Sequence, residues 1–322
     1  MAFRELATLI GAGISIMQAL SDQLRRPMSH PFRRFFQTAS KRVSGGERLS
    51  VVMRDHGGMF SAISIALIEA GEVSGRLDLM LSDVASYLER ELELRRMIAR
   101  ETFYAKILVA AALLIPLAAR CIVAWLMQGL LAAIVVLLKT LLGYLIIGGV
   151  PLLALYIVYA HIASTRTGKN NIDAMKLRVP VIGGIVQKVA LAKFARAYAA
   201  LYDAGVSPAK AVPLAAQACG NRHLASGFEA AAARVEQGIP LSEALVGTPI
   251  SDSLLVRLLA TGEQTGNVDA MMLKAAEHYE DEAHTQIRRL AVAIVPVVVI
   301  ITGIVVCLMV LRFYVGLYGS LF

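Results

Sequence analysis

An apolar stretch from residue 107 to residue 160 is the feature that most limits how this chain can fold. A helix needs about 20 apolar residues to cross a bilayer, so the stretch has room for two spans and a connection between them. A second apolar stretch, residues 290–311, is long enough for one more span. Hydrophobic residues make up 57% of the chain, above the roughly 45–50% that is usual for soluble domains. The sequence therefore predicts an integral membrane protein.

Two charged residues decide where the spans are placed within the longer stretch. A charge at the centre of a bilayer costs about 2.5–3.5 kcal/mol on insertion scales, so we expect Arg120 and Lys139 near an interface. The residues from Arg120 to Lys139 should then form a short, apolar, interfacial hairpin on the external side. The expected spans are about 103–119, 141–160 and 290–311.

Basic residues are distributed unevenly around these spans. Ten lysines and arginines flank one set of span ends and three flank the other, which is typical of the positive-inside rule. We therefore expect both polar segments in the cytoplasm and the C-terminus outside, and we attribute the net charge of +8 to membrane orientation rather than to nucleic-acid binding. The expected domains are 1–102 (first cytoplasmic helical module), 103–163 (two transmembrane helices with a short external hairpin), 164–289 (second cytoplasmic helical module) and 290–322 (third transmembrane helix and external C-terminus).

The two polar segments are copies of each other. Ala-Gly-Ile-Ser at residues 12–15 recurs as Ala-Gly-Val-Ser at residues 204–207, an offset of 192 residues. After a slip of one residue, the segment 71–78 matches the segment 262–269. Such internal self-similarity indicates a repeated structural unit. Because each unit is followed by an outward span, one further span must return the chain between them.

Apolar spacing predicts that both copies are helical. Each opens with apolar residues on one helical face: Phe3, Leu6, Ala7 and Ile10 in the first copy, and Phe194, Tyr198, Leu201 and Tyr202 in the second. Short connections that contain Gly or Pro separate the amphipathic segments, a pattern that favours antiparallel bundles of five or six helices. We therefore predict an all-α membrane protein with two homologous cytoplasmic antiparallel helical bundles and three transmembrane helices.

A repeated motif, Gly-Glu-x-(Ser/Thr)-Gly-x-(Leu/Val)-Asp, lies between an apolar helix and a charged one in each copy. We interpret it as a corner between two antiparallel helices. Its first glycine could end a helix in the left-handed conformation, its hydroxyl could cap the next helix, and its aspartate would lie in the first turn of that helix. The second glycine would permit the turn. The corner residues are Gly71, Ser74, Gly75 and Asp78 in the first copy, and Gly262, Thr265, Gly266 and Asp269 in the second.

The glutamate of this motif has no role in such a turn. Glu72 and Glu263 occupy equivalent positions, and the corner alone does not require a carboxylate at either. A structural role and a role in binding a partner or an ion are therefore both open. We include these two residues as candidate partner-binding residues.

At this point the sequence resembles the type II secretion system F-domain family. The resemblance rests on three motifs that recur in order in both copies: (Leu/Tyr)-x-x-Leu-x-x-Ala-Gly-(Ile/Val)-Ser, Gly-x-x-Leu-Ser, and the corner. It implies an inner-membrane platform protein with six-helix bundles, both modules cytoplasmic and a periplasmic C-terminus. The partners that it implies are a hexameric secretion or pilus ATPase, pilin or pseudopilin subunits, other inner-membrane assembly proteins and further copies of the chain. The compact opening is similar to that of type IVb-pilus platforms.

Enzyme motifs are missing from the sequence. It contains no Gly-x-x-x-x-Gly-Lys-(Ser/Thr) phosphate loop, no Gly-x-Ser-x-Gly elbow and no His-Glu-x-x-His zinc motif. His278 and His284 are six residues apart, so they diverge around a helix and predict no metal site. We therefore expect no enzymatic activity, cofactor or metal. The alternative function is a membrane transporter or channel subunit, although the expected spans contain no acidic residue within the bilayer.

Overall fold

The computed structural model describes residues 2–56, 58–151, 153, 157, 173–175, 177, 179, 182–248, 250 and 253–318. All of the regular secondary structure among these residues is helical. The prediction of an all-helical chain is therefore confirmed.

The first repeat forms six consecutive helices within the described residues. They are α1 (Ala2–Gly11), α2 (Ile16–Gln23), α3 (His30–Ser44), α4 (Leu49–Asp55), α5 (Ala62–Ser74) and α6 (Leu77–Gln128). Serine side chains begin two of them, because Ser15 accepts a hydrogen bond from the Gln18 N–H and Ser61 accepts one from the Ser64 N–H. Leu6 and Ala7 of the predicted apolar face of α1 are buried in the core.

Between the repeats, α7 (Leu130–Tyr144) follows α6 after one non-helical residue, Gly129, and leads into a π-helical turn (Leu145–Gly149). The turn of the predicted hairpin therefore lies at Gly129, and the hairpin is more helical than expected. Arg120 and Lys139 lie inside α6 and α7 rather than at the ends of helices. The C-terminal part of the expected span 141–160 lies largely outside the described residues.

The second repeat follows the same plan. Its described helices are α8 (Ile182–Asp203), α9 (Pro208–Ala218), α10 (Arg222–Glu236), α11 (Leu241–Leu245), α12 (Ser253–Thr265) and α13 (Val268–Tyr318). Ser207 is the N-cap residue of α9, and Pro208 occupies its first helical position, where the missing N–H costs no hydrogen bond. Phe194, Tyr198 and Leu201 of α8 are all buried, as the apolar spacing requires.

The chain divides into two compact units. One contains both polar modules (Met1–Arg95 and Asp173–Ala283), and the other contains the apolar segments (Arg96–Ile172 and His284–Phe322). Within the first unit, α5 of the first module packs against α8 and α9 of the second. The buried side chains of the two modules belong to one hydrophobic cluster.

Two described helices contain stretches that are long and apolar enough to cross a membrane. Lys106–Leu126 in α6 has a mean hydropathy of 2.5, and the stretch within Val268–Leu308 of α13 reaches 3.0. These stretches include most of the first expected span and nearly all of the third. Helix α7 is also apolar but shorter. Both α6 and α13 begin in a polar module and continue without interruption into apolar sequence.

Candidate functional site

The repeated corner joins α5 to α6 in the first module and α12 to α13 in the second. Gly75 has a φ of +73° and Gly266 a φ of +75°, both in the left-handed region that glycine adopts without steric cost. The N–H of Arg76 donates to the Gly71 carbonyl at 3.0 Å, and the N–H of Asn267 donates to the Gly262 carbonyl at the same distance. These bonds are typical of a helix C-terminus closed by a left-handed glycine.

The first glycine of the motif has a different role from the one predicted. We expected Gly71 and Gly262 to be left-handed, but each is a helical residue, and the left-handed position is taken by the second glycine. A Cβ atom on Gly71 would lie 2.8 Å from the Cβ of Met80, and one on Gly262 would lie 2.8 Å from the Cα of Val268. The first glycine therefore lets the following helix pack closely against its own.

The hydroxyl of the motif also differs from the prediction. Ser74 donates to the Ala70 carbonyl at 2.8 Å, and Thr265 donates to the Thr261 carbonyl at 2.8 Å. Each hydroxyl thus bonds back into the helix that it ends, instead of capping the next one. Asp78 and Asp269 do lie in the first turns of α6 and α13, where the helix dipole favours a carboxylate.

Glu72 reaches across its module to the N-terminus of α4. Its carboxylate accepts hydrogen bonds from the Leu49 N–H at 2.5 Å and from the Ser50 hydroxyl at 2.5 Å. The Ser50 N–H lies within 3.4 Å of both carboxylate oxygens. The N-cap residue of α4 is Arg48, whose side chain makes no capping bond, so the distant carboxylate satisfies these N–H groups instead.

Glu263 repeats this arrangement in the second module. It accepts from the Leu241 N–H at 2.7 Å and from the Ser242 hydroxyl, at the N-terminus of α11. The N-cap residue there is Pro240, which has no side chain able to cap the helix. A carboxylate at the positive end of a helix dipole makes charge-assisted hydrogen bonds, which stabilise by about 1.5–3 kcal/mol each.

The glutamate therefore connects two of the repeated motifs, Gly-x-x-Leu-Ser and the corner. The sequence shows both motifs in the same order in each copy, but their pairing is a contact across more than 20 residues that no local pattern predicts. Both copies of the repeat contain a Leu-Ser pair followed by the motif glutamate. This shared pattern is the sequence signal that could have revealed the contact between them. The role of Glu72 and Glu263 in partner binding stays a prediction.

A second polar feature lies where the modules meet. Asp83 of α6 faces Asp203 of α8, and burial together with repulsion from Asp203 raises the pKa of Asp83, an effect that Arg76 partly opposes. Lys193 of α8 lies 3.6 Å from Glu91 of α6. Among the described residues, no group of three or more His, Cys, Asp or Glu side chains is placed to hold a metal ion.

Comparison with known families gives the same repeat. The model of the family described as "Type II secretion system (T2SS), protein F" matches residues 2–124 and matches again at residues 194–316. The two matches start 192 residues apart, the offset found between the opening motifs. The repeat that the sequence predicts is therefore also recognised by the family pattern.

Curated relatives match almost the whole chain. The type IV pilus assembly protein PilC of Thermus thermophilus is 32% identical over 98% of this chain and 80% of its own length. The type II secretion system protein F of Xanthomonas campestris is 30% identical with the same coverage of both chains. PilC of Pseudomonas aeruginosa is 26% identical over 98% of this chain and 87% of its own length.

Proposed function

Because the chain belongs to the type II secretion system protein F family, we propose that it is the inner-membrane platform protein of a type IV pilus or type II secretion machine. The observation that carries this proposal is the doubled module, each copy of which ends in a helix that continues into apolar sequence. Relatives named for both kinds of machine match over nearly the full chain, which supports the shared role rather than one of the two machines.

The proposed mechanism is the coupling of a cytoplasmic ATPase to the polymerisation of pilin or pseudopilin subunits. Helices α6 and α13 provide an uninterrupted path from each polar module into apolar sequence, so a force applied to a module has a covalent route into the bilayer. The sequence contains no phosphate-binding loop, so the energy has to come from a separate protein. Proposed partners are a hexameric secretion or pilus ATPase, pilin or pseudopilin subunits, other inner-membrane assembly proteins and further copies of the chain.

The proposed topology places both modules in the cytoplasm and the C-terminus in the periplasm. The support is the excess of lysine and arginine at one set of span ends. Three spans are required for this arrangement, with α7 beginning the return span. Reporter fusions near residues 100 and 178 should read cytoplasmic, and a fusion at the C-terminus should read periplasmic. A cytoplasmic C-terminus would contradict the arrangement.

We also propose that Glu72 and Glu263 contact a partner in addition to capping α4 and α11. Both side chains are only partly buried, so part of each remains accessible from outside the module. Their position beside the corner would place a bound partner next to the start of α6 and α13. A partner at this position could act on the helices that continue into apolar sequence.

Reconstitution separates the platform from the alternative of a transporter or channel. The purified chain in lipid vesicles should neither hydrolyse ATP nor conduct ions, and it should raise the ATPase activity of the hexameric ATPase encoded with it. The control is the same ATPase with empty vesicles. Ion or solute flux through the pure chain, with no effect on the ATPase, would favour a transporter or channel function over the platform function.

A further inference from the structure

One face of α3 in the first module is exposed and strongly basic. Successive residues of a helix are about 100° apart, so six side chains of α3 fall within an arc of about 100°. All six are exposed: His30, Arg33, Arg34, Gln37, Lys41 and Ser44. We call this surface the basic face. It has three cationic side chains, no carboxylate and no apolar side chain.

The three cations of the basic face have no ion-pair partner. Arg42, which points to another side of α3, pairs with Glu47 and with Asp55. Arg33, Arg34 and Lys41 form no ion pair with any carboxylate in the part of the chain that the structure describes. Arg33 and Arg34 also lie near the N-terminus of α3, where the helix dipole disfavours a cation. The stability of the helix therefore does not explain these charges.

The second module shows that the bundle does not need them. Its equivalent helix, α10, has the same 15 residues in length at the offset of 192. The core side is kept, because Phe36 and Ala39 correspond to Phe228 and Ala231 and all four are buried. The positions equivalent to the basic face are Arg222, Ala225, Ser226, Glu229, Ala233 and Glu236. That face has one cation and two carboxylates, so the positive charge is special to the first module.

The composition of the basic face indicates the chemistry of its partner. With no apolar side chain to insert, the face can bind only through charge and hydrogen bonds. Two of its three cations are arginines, whose planar guanidinium groups match the oxygens of a phosphate group. The charges extend over three turns of helix, which suits an extended anionic surface. A surface of phosphate groups meets all of these conditions.

Such a surface is always close to the first module. Residues 96–105 alone separate Arg95, where the module segment ends, from Lys106, where the apolar stretch of α6 begins. Even fully extended, these residues reach at most about 35 Å. Arg96 and Arg100 lie within this short segment, and basic residues beside a span are attracted to anionic lipids. The module is therefore tethered near a leaflet that presents phosphate groups at a high effective concentration.

We propose that the basic face of α3 binds the anionic phosphate headgroups of the cytoplasmic leaflet, a contact that rests on the topology proposed above. Arg33, Arg34 and Lys41 make the contact, and no part of α3 enters the hydrocarbon. The contact holds the first module at the membrane surface. The face of α10 in the second module has no such charge and makes no equivalent contact.

The acetylation rate of Lys41 in the full chain reports on this contact. The chain is placed in nanodiscs of phosphatidylcholine alone or of an equal mixture with phosphatidylglycerol, and a small uncharged reagent is used with mass spectrometry. We expect Lys41 to react about fivefold more slowly, or slower still, in the anionic discs, because headgroups cover it. Lys210 is exposed in the second module and serves as the internal reference. Its rate should change by less than about twofold.

A charge-matched pair of variants tests whether the basic face causes the protection. Arg33→Gln/Arg34→Gln should bring the Lys41 rate in anionic discs to within about twofold of the rate in zwitterionic discs. Arg222→Gln/Lys274→Gln removes two exposed charges from the second module and should leave Lys41 protected. Both variants should melt as the wild type does, since all four side chains are exposed. Salt at about 0.5 M should also remove the protection, because it screens exposed charges.

Three outcomes would overturn the proposal. The first is an equal Lys41 rate in both kinds of disc, and the second is protection that the Arg33→Gln/Arg34→Gln variant retains. The third is protection that appears only when the ATPase encoded with the chain is added, because an acidic protein would then be the occupant. The lipid comparison contains no ATPase and no pilin, so its failure would leave the platform role intact. Failure to stimulate the ATPase while Lys41 stays protected would instead remove the platform role alone.

Discussion

Among the described residues the two modules share a plan of six helices, from α1 to α6 and from α8 to α13, yet α1 and α8 lie in different surroundings. In α8, Ala197 is fully buried and Ala199 is 1% exposed, while the equivalent positions in α1 are Glu5 and Ala7, of which Glu5 is partly exposed. The difference follows from packing, because α8 is contacted by α5 of the first module as well as by its own bundle. Small apolar residues suit a helix covered on most sides, and polar residues suit one covered on a single side.

A repeated ion pair makes this comparison measurable. Arg4 pairs with Glu89 at 2.7 Å in the first module, and Arg196 pairs with Glu280 at 2.7 Å in the second. The Arg4 side chain is 56% exposed, whereas that of Arg196 is 13% exposed. The same ion pair is therefore largely exposed to water in the first module and largely buried in the second. The free energy that each pair contributes to folding should differ for that reason.

The largest expected effect comes from the first glycine of each corner. Gly262→Ala should destabilise the chain by about 3 kcal/mol, because the new Cβ would meet the backbone of α13. Gly71→Ala should cost about 2–3 kcal/mol, because the Cβ of Met80 moves only with its backbone and the Cα of Leu77 lies 3.1 Å from the new atom. Thermal melting of the two variants in detergent checks both values. Wild-type melting of either variant would contradict the close packing of the two helices at that corner.

The glutamates come next in expected size. Glu72→Ala and Glu263→Ala should each cost about 1–3 kcal/mol, since both leave the N–H groups of a short helix without an acceptor. The Gln variants retain one acceptor oxygen and should cost about 1 kcal/mol or less. Melting and pilus assembly or secretion in cells are measured on the same variants. The proposed partner role predicts that the double Gln variant melts near the wild-type temperature but fails to assemble, and normal assembly would remove that role.

Replacement of the arginine in each ion pair should lower stability by a smaller amount, and the loss should differ between the two modules. Arg196→Met should destabilise by about 1–2 kcal/mol, because it leaves the Glu280 carboxylate in a partly buried position without its partner. Arg4→Met should cost less than about 1 kcal/mol, because water screens the exposed pair. Melting in low and high salt provides the control, since salt should change only the contribution of the exposed pair. A larger loss for Arg4→Met would contradict the assigned difference in burial.

Asp83 is expected to give the smallest effect. Its pKa is raised in the folded chain, so the native state holds this proton more tightly than the unfolded state does. Stability should therefore fall as the pH rises from the ordinary aspartate pKa through the raised value. Asp83→Asn removes this dependence and should stabilise the chain by less than about 1 kcal/mol at neutral pH, with no gain at pH 3. Asp203→Asn should produce a smaller gain, because repulsion is the lesser of the two causes.

Local patterns in the sequence were sufficient to predict the helices, the repeat and the existence of the corner. The prediction placed the left-handed conformation at the first glycine of the motif, whereas the second glycine, four residues later, adopts it. Either glycine could adopt this conformation on local grounds. Only the approach of Met80 to Gly71 in the folded chain distinguishes the two. The hairpin turn was expected to extend from Arg120 to Lys139 because both residues are charged. These residues are instead helical, and between Arg120 and Lys139 only Gly129 interrupts the helices.

The glutamate cap could not be predicted, for a different reason. Glu72 contacts Leu49 and Ser50, which are distant in sequence, so the contact exists only after the bundle has formed.

Deletion of the gene in its host, followed by complementation, tests the platform role most directly. The account predicts that pilus assembly or type II secretion is lost while the levels of the ATPase and of the pilin or pseudopilin subunits stay normal. Expression of the full chain should restore the lost output. Unchanged piliation and unchanged secretion after deletion would contradict the platform role.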